Sequence, residues 1–267
     1  RFSSPNESTN NKINFVILNT LITPIFLRYF IELSYKGTNY HGWQIQPDVN
    51  SVQEEITKAF ETILQEKIQV VGAGRTDAGV HASQMFAHLD TKNELTNEYI
   101  HKFNTILPND IVIKSIKEVL ENKHARFDAV SRSYEYRILI GRDPFLLDTT
   151  WQIHQKKIQL EKMNEAAKVL LQYKDFESFS KVKTDVKTFN CTIMSAVWKL
   201  EGNQLIFYIK ANRFLRNMVR AIVGTLLDVG LEKKSLDDFR NIIESKKRRE
   251  AGLSVPAKGL FLTEVNY

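Results

Sequence analysis

A single cysteine, Cys191, stands in 267 residues. It excludes an internal disulfide and any site built from several thiolates, and makes the cytoplasm the natural compartment. Long apolar runs are missing as well. The most apolar early stretch, residues 13–27, is broken by Asn14, Asn19, Thr20, Thr23 and Pro24, whereas a membrane span needs about 20 nearly uninterrupted apolar residues. No membrane partner is expected. No small-residue cleavage site follows that stretch, so it does not read as a signal peptide. The histidines His41, His81, His88, His101, His124 and His154 form no His-Glu-x-x-His pair, and one thiol cannot complete a thiolate set, so no metal is expected.

What is present is ordinary for a globular chain: 43% apolar and 25% charged residues. The length fits one large domain or two modest ones. Thirty-seven Lys and Arg against 31 Asp and Glu give a net charge of +6. That excess permits a polyanionic partner such as RNA without demanding one. Residues 1–27 differ from the rest, with a polar Asn- and Ser-rich start that opens on Arg rather than Met. They read as a disordered or non-native leader.

From Arg28 onward the elements repeat. Arg28–Tyr35 reads as a strand, Ser51 with Glu54 as a capping box opening a helix, Lys67–Val71 and Gln84–Asp90 as strands, Thr96–Leu107 as a helix and Ile111–Ile116 as a strand. The second half follows with strand Ser133–Ile140, helix Leu160–Gln172, a hairpin of Ile193–Leu200 and Gln204–Ala211, helices Phe214–Val229 and Leu236–Ser245, and strand Gly259–Val265. The first half has the order β-α-β-β-α-β, and the second repeats it with Leu236–Ser245 as an added helix. The expected fold is α+β: two ferredoxin-like halves, residues 28–130 and 131–267, with antiparallel sheets and a central cleft between them as the natural site.

Between two first-half strands lies Gly72-Ala73-Gly74-Arg75-Thr76-Asp77-Ala78-Gly79-Val80-His81-Ala82. Three glycines in eight residues demand unusual dihedrals or close approach by another segment. The spacing is wrong for a dinucleotide fingerprint, and no Gly-Lys-Ser/Thr follows for a P-loop, so no nucleotide cofactor is expected. By composition alone, Arg75 and Asp77 fit a surface ion pair on a glycine turn equally well.

This segment resembles the catalytic loop of the tRNA pseudouridine synthase A family, whose pattern is Gly-Arg-Thr-Asp-x-Gly-Val-His. The resemblance extends over residues 28–267. It includes Tyr40-His41-Gly42-Trp43-Gln44 followed by Ser51-Val52-Gln53-Glu54, His124-Ala125-Arg126-Phe127, Arg132-Ser133-Tyr134-Glu135-Tyr136, Asp175-Phe176-Glu177-Ser178-Phe179, and the stretch Ala211 to Arg220 with its Met218-Val219-Arg220 ending. One departure stands: Thr188-Phe189-Asn190-Cys191 occupies a stretch where several family members carry Thr-x-x-Arg.

The resemblance implies a cofactor-free isomerase that converts uridine to pseudouridine at positions 38, 39 and 40 (tRNA numbering) of the anticodon stem-loop and works as a homodimer. It implies a central RNA-binding cleft with Asp77 as nucleophile, Arg220 as its partner, Arg75 as the residue that flips the target base, and Tyr134 as the residue that stacks on it. Read from the residues alone, Arg220 fits a helix arginine lying over apolar surface, and Tyr134 shares a strand face with Tyr136, so one of the two is structural. Arg126, Arg132, Arg137 and Arg142 flank one strand, and Arg213, Arg216 and Arg220 recur at helical spacing beside Phe214. Such interleaving of basic and aromatic residues suits RNA binding. Lys246-Lys247-Arg248-Arg249 reads as a solvated helix end, and His81 as a residue ordering the loop. The alternative reading is a non-catalytic RNA-binding protein with RRM-like topology, but the RNP1 pattern is absent from Gln84–Leu89. A small-metabolite enzyme on the same scaffold lacks any cofactor motif.

Overall fold

The computed structural model describes residues 26–154, 157–182 and 186–267. All but the last two residues of the expected leader lie outside that set. Strand β1, Leu27–Tyr35, buries Tyr29, Ile31, Leu33 and Tyr35 and leaves the intervening side chains partly exposed, the period-two signature of a sheet covered on one face. Helix α1, Val52–Leu64, starts at Ser51, whose Oγ accepts from Glu54 N at 3.3 Å. Only half of the expected capping box forms, because the Glu54 carboxylate pairs with Lys58 at 2.8 Å instead. Strand β2 shrinks to Val71–Gly72. The rest of the strand expected at Lys67–Val71 is irregular because α1 meets its backbone groups: Gln53 Nε2 donates to Val70 O at 2.6 Å, and Glu61 Oε1 accepts from Ile68 N at 3.3 Å. Strand β3 (His81–Thr91), helix α2 (Glu98–Ile106) and strand β4 (Ile111–Val119) complete this half.

The second half runs β5 (Ser131–Ile140), β6 (Trp151–Ile153), α3 (Leu160–Val169), β7 (Ile193–Glu201), β8 (Gln204–Ala211), α4 (Met218–Gly230), α5 (Leu236–Ser245) and β9 (Leu260–Asn266). The helix expected from Phe214 begins four residues later. Asn217 takes a left-handed backbone, φ 66°, and ends any continuation toward Phe214. Arg213 and Arg216 therefore lie on a loop, and only Arg220 of the three sits on the helix. Their apparent helical spacing has no structural counterpart.

The sheet order is β4-β1-β3-β9-β5-β8-β7, with β2 beside β3 and β6 beside β5. The halves thus share one continuous sheet. The join is a parallel seam between β3 and β9 of two residue pairs, His81 with Phe261 and Ala82 with Leu262. Two apolar cores persist on either side of the seam, one containing Tyr29, Phe60 and Phe103 and the other Tyr136, Phe207 and Leu226. Tyr134 packs against both, which places it at their junction. Among the described residues no helix is long and apolar enough to cross a membrane.

Candidate active site

The glycine loop between β2 and β3 is pinned from below by the segment around Trp43. Trp43 N donates to Thr76 O at 3.2 Å and Gly79 N to Tyr40 O at 3.2 Å. Gly42 has φ +92°, and a Cβ there would lie 2.3 Å from Thr76 O, so only glycine lets the two segments meet. Thr76 is buried, its hydroxyl 2.8 Å from that of Tyr35. Val80 N donates to Asp77 O at 3.1 Å and closes the turn. With Thr76 held inward, its neighbour Asp77 projects from the loop.

Two guanidiniums approach that carboxylate. Arg220 Nη1 lies 3.5 Å from Asp77 Oδ2, and Arg216 Nε 3.6 Å from Oδ1. Among the described residues nothing donates a hydrogen bond to either oxygen, so two positive groups favour the ionised carboxylate without spending its lone pairs. Arg220 is itself fixed by its Nε donating to Val255 O at 2.7 Å. Tyr134 is half-buried beside the site with the Phe214 ring edge-on at 5.1 Å. Burial pushes the Tyr134 phenol up to about 12, opposed by Arg132 and reinforced by Asp77. At neutral pH it is a protonated hydroxyl on an aromatic face.

A family model described as tRNA pseudouridine synthase matches residues 33–128 and 166–267. The chain belongs to the tRNA pseudouridine synthase family. It is 52% identical over 243 residues to the tRNA pseudouridine synthase A of Bacteroides fragilis, covering 90% of this chain and 96% of that one. The Parabacteroides distasonis protein of the same name is 50% identical over 242 residues, with the same coverage. A Clostridium perfringens tRNA pseudouridine synthase A 2 is 38% identical over 239 residues, covering 89% and 98%. Among solved structures, a Cbf5-Nop10-Gar1 complex overlaps at a TM-score of 0.33 and 11% identity, covering 87% of this chain and 57% of that one. This pseudouridine synthase is an enzyme of that family, and the non-catalytic RNA-binding alternative is not favoured.

The remaining arginines of the synthase divide into those displayed and those turned inward. Arg75 is exposed two residues from Asp77, and Arg142 is also exposed. Arg126 is exposed, its guanidinium 5.9 Å from the Phe127 ring centre. Arg213 is half-buried, with Nη1 3.5 Å from Thr188 O. Arg132 and Arg137 do not present themselves to a ligand as the sequence suggested. Arg137 pairs with Glu135 at 2.8 Å and lies 4.0 Å over the Phe261 ring; Arg132 spends its guanidinium on backbone carbonyls. The basic run after α5 is mostly engaged too: Lys246 pairs with Asp175 at 2.8 Å, Arg248 donates to Gly252 O and Ser254 Oγ, and Arg249 pairs with Glu250.

His81 orders the far end of the loop. Its Nδ1 accepts from Gly37 N at 3.0 Å, while Nε2 lies 2.9 Å from Asp148 O and 3.1 Å from Lys258 O. Only a neutral ring with its proton on Nε2 satisfies all three, and burial lowers its pKa in agreement. Cys191, at the departure from the family pattern, is buried in the second core, and burial pushes its thiol up to about 11. Among the described residues no group of three or more His, Cys, Asp and Glu is placed to hold a metal ion. Sequence reasoning missed the approach of Arg216 to Asp77 and the Val255 carbonyl that fixes Arg220. No spacing in the sequence ties Arg216 to the loop that carries Asp77, and a backbone carbonyl has no sequence signal.

Proposed function

We propose that this chain converts uridine to pseudouridine in the anticodon stem-loop of tRNA, at positions 38, 39 and 40, with Asp77 as nucleophile and without a cofactor. The observation that carries this reading is a carboxylate flanked by two guanidiniums with its oxygens unspent, beside a half-buried tyrosine at the junction of two cores. The target uridine must leave its stack, at a cost of a few kcal/mol. In this reading Arg75, exposed two residues from Asp77, occupies the vacated space, and Tyr134 offers a face for the extruded ring. Asp77 then adds to C1′ or C6 of the nucleotide or assists glycal formation. In each route the N1–C1′ bond breaks, the base turns, C5 joins C1′, the C5 proton leaves to water and N1 gains a proton. Atoms balance and no electrons are exchanged.

Arg126, Arg213 and Arg216 supply positive charge for the phosphates. The halves 28–130 and 131–267 grip the RNA from either side, and the working unit in the cytoplasm is a homodimer, which sedimentation of the free protein tests. The decisive assay uses tRNA carrying tritium at uridine C5. Wild-type protein releases tritium to water. Asp77→Asn lowers release by more than about a thousandfold, the scale on which loss of a nucleophile is felt, while tRNA binding persists. Release unaffected by that substitution would refute the assignment, and binding without release by the wild type would return the chain to the RNA-binding reading.

A further inference from the structure

We infer that Arg132 is a positioning residue of the reaction. Its guanidinium clamps the start of the Asp77 loop, the turn from His124 to Ala129 and the segment leading into Arg213 to one another, and thereby sets the reactive carboxylate and the RNA-gripping arginines in a fixed relation. Nη2 donates to Ala73 O at 2.9 Å and to Arg126 O at 2.7 Å, and Nη1 donates to Ala129 O at 2.9 Å and to Asn212 O at 3.1 Å. Ala73 opens the glycine loop, Arg126 carries an exposed guanidinium, and Asn212 precedes Arg213. The inference rests on the roles proposed above for Asp77, Arg126 and Arg213.

Several observations separate this side chain from an ordinary surface arginine. Among the described residues no carboxylate lies within ion-pair distance of it, so attraction to an anion does not explain its place. Withdrawal from water disfavours its charge, and such a group persists only where its donors are satisfied. A planar fork serves four carbonyls arranged around two nitrogens, whereas a lysine presents one nitrogen with three donors. The turn it holds is already preorganised. His124 Nδ1 accepts from Arg126 N at 3.1 Å and from Phe127 N at 3.3 Å, and Asp128 Oδ2 accepts from His124 N at 2.9 Å. A rigid turn needs a single anchor to be held against the catalytic loop, and Arg132 bonds both. Tyr134 lies two residues along β5 and so shares the Arg132 face.

Full-length Arg132→Lys and Arg132→Met proteins test the clamp with an unmodified tRNA transcript and with the tritiated substrate. Both variants should lower single-turnover release at saturating tRNA by about 10- to 100-fold, the effect of misplacing a reacting group by about 1 Å. Amide exchange should quicken in residues 73–81, 124–130 and 212–217 while the strands keep their protection. In tRNA affinity, Arg132→Lys and Arg126→Ala should combine non-additively. A direct phosphate contact predicts the opposite pattern, in which lysine works and methionine fails, so wild-type release by Arg132→Lys overturns the clamp. Additive affinities overturn it, as does exchange spread through every strand, which would make Arg132 a support of the fold at large. Were the wild-type protein to release no tritium, the isomerase reading would fail, and the exchange and affinity data would still decide on the clamp.

Discussion

Arg216 and Arg220 reach Asp77 from different kinds of backbone and should not behave alike. Arg220 rides on α4, is held by Val255 O, and its side chain is 20% exposed; Arg216 sits on a loop and is 58% exposed. An ion pair that open to water contributes little by itself, so Arg216 is suited to meet phosphate. Arg216→Ala should weaken tRNA binding and reduce the slope of log affinity against log salt by about 0.9. Arg220→Met should leave that slope unchanged and lower single-turnover release by about 100-fold, as loss of a preorganised charge partner does. Equal salt slopes for the two variants would contradict the division. At this scale the display of Asp77 on a glycine-bent turn was legible, because the glycines and a specific motif converge on it. Arg132 was not, since a count of charges cannot distinguish a guanidinium turned outward from one folded onto carbonyls.

Among the elements, the segment under the catalytic loop is the most sensitive to backbone change. Gly42→Ala adds a Cβ 2.3 Å from Thr76 O at a position of φ +92°. It should lower stability by about 1–3 kcal/mol and, by displacing the turn that displays Asp77, reduce single-turnover release more than tRNA affinity. Urea titration and the tritium assay measure the two effects separately. Ser235→Ala provides the contrast. Ser235 and Asp238 form a reciprocal capping box at the start of α5, so its loss should cost about 1 kcal/mol with release unchanged. The extent of α5, Leu236–Ser245, was legible in the sequence; its cap emerges only in the structure. The start of α4 was not, because apolar periodicity continues through Phe214 while the left-handed Asn217 breaks the helix without a hydrophobic signature. Strand β2 was overestimated because side chains of the preceding helix α1 replace its ladder, which a β-rich pattern does not reveal.

The whole molecule should be most stable near neutral pH. On the alkaline side, burial raises the phenols of Tyr35, Tyr134, Tyr136 and Tyr267, that of Tyr134 to about 12. From about pH 10 the unfolded chain loses these protons while the folded chain keeps them, so stability falls as pH rises. On the acid side, burial lowers His88 to about 4 and lowers His81 as well. The unfolded chain takes up protons from about pH 6.5 and the folded chain does not, so stability falls as pH drops toward 4. Urea midpoints measured across this range should describe a dome, and a flat limb on either side would contradict the corresponding group. The repetition of two halves was legible at this scale from the order of strands and helices. Their fusion was not: alternation along β9 marks its faces but not its neighbours, and β9 supplies Leu262 and Val265 to one core and Leu260 to the other.

The two residue pairs that join β3 to β9 form the spine of an opened book whose outer margins are β4 and β7. A plate flexes most easily where the fewest bonds cross it, and the imidazole of His81 stands at that crease, tied to both covers. A small rotation about the spine is multiplied by the distance to the margins. On the proposed reading, in which both halves grip the RNA, the substrate has leverage over the spacing of the groups that meet at the crease.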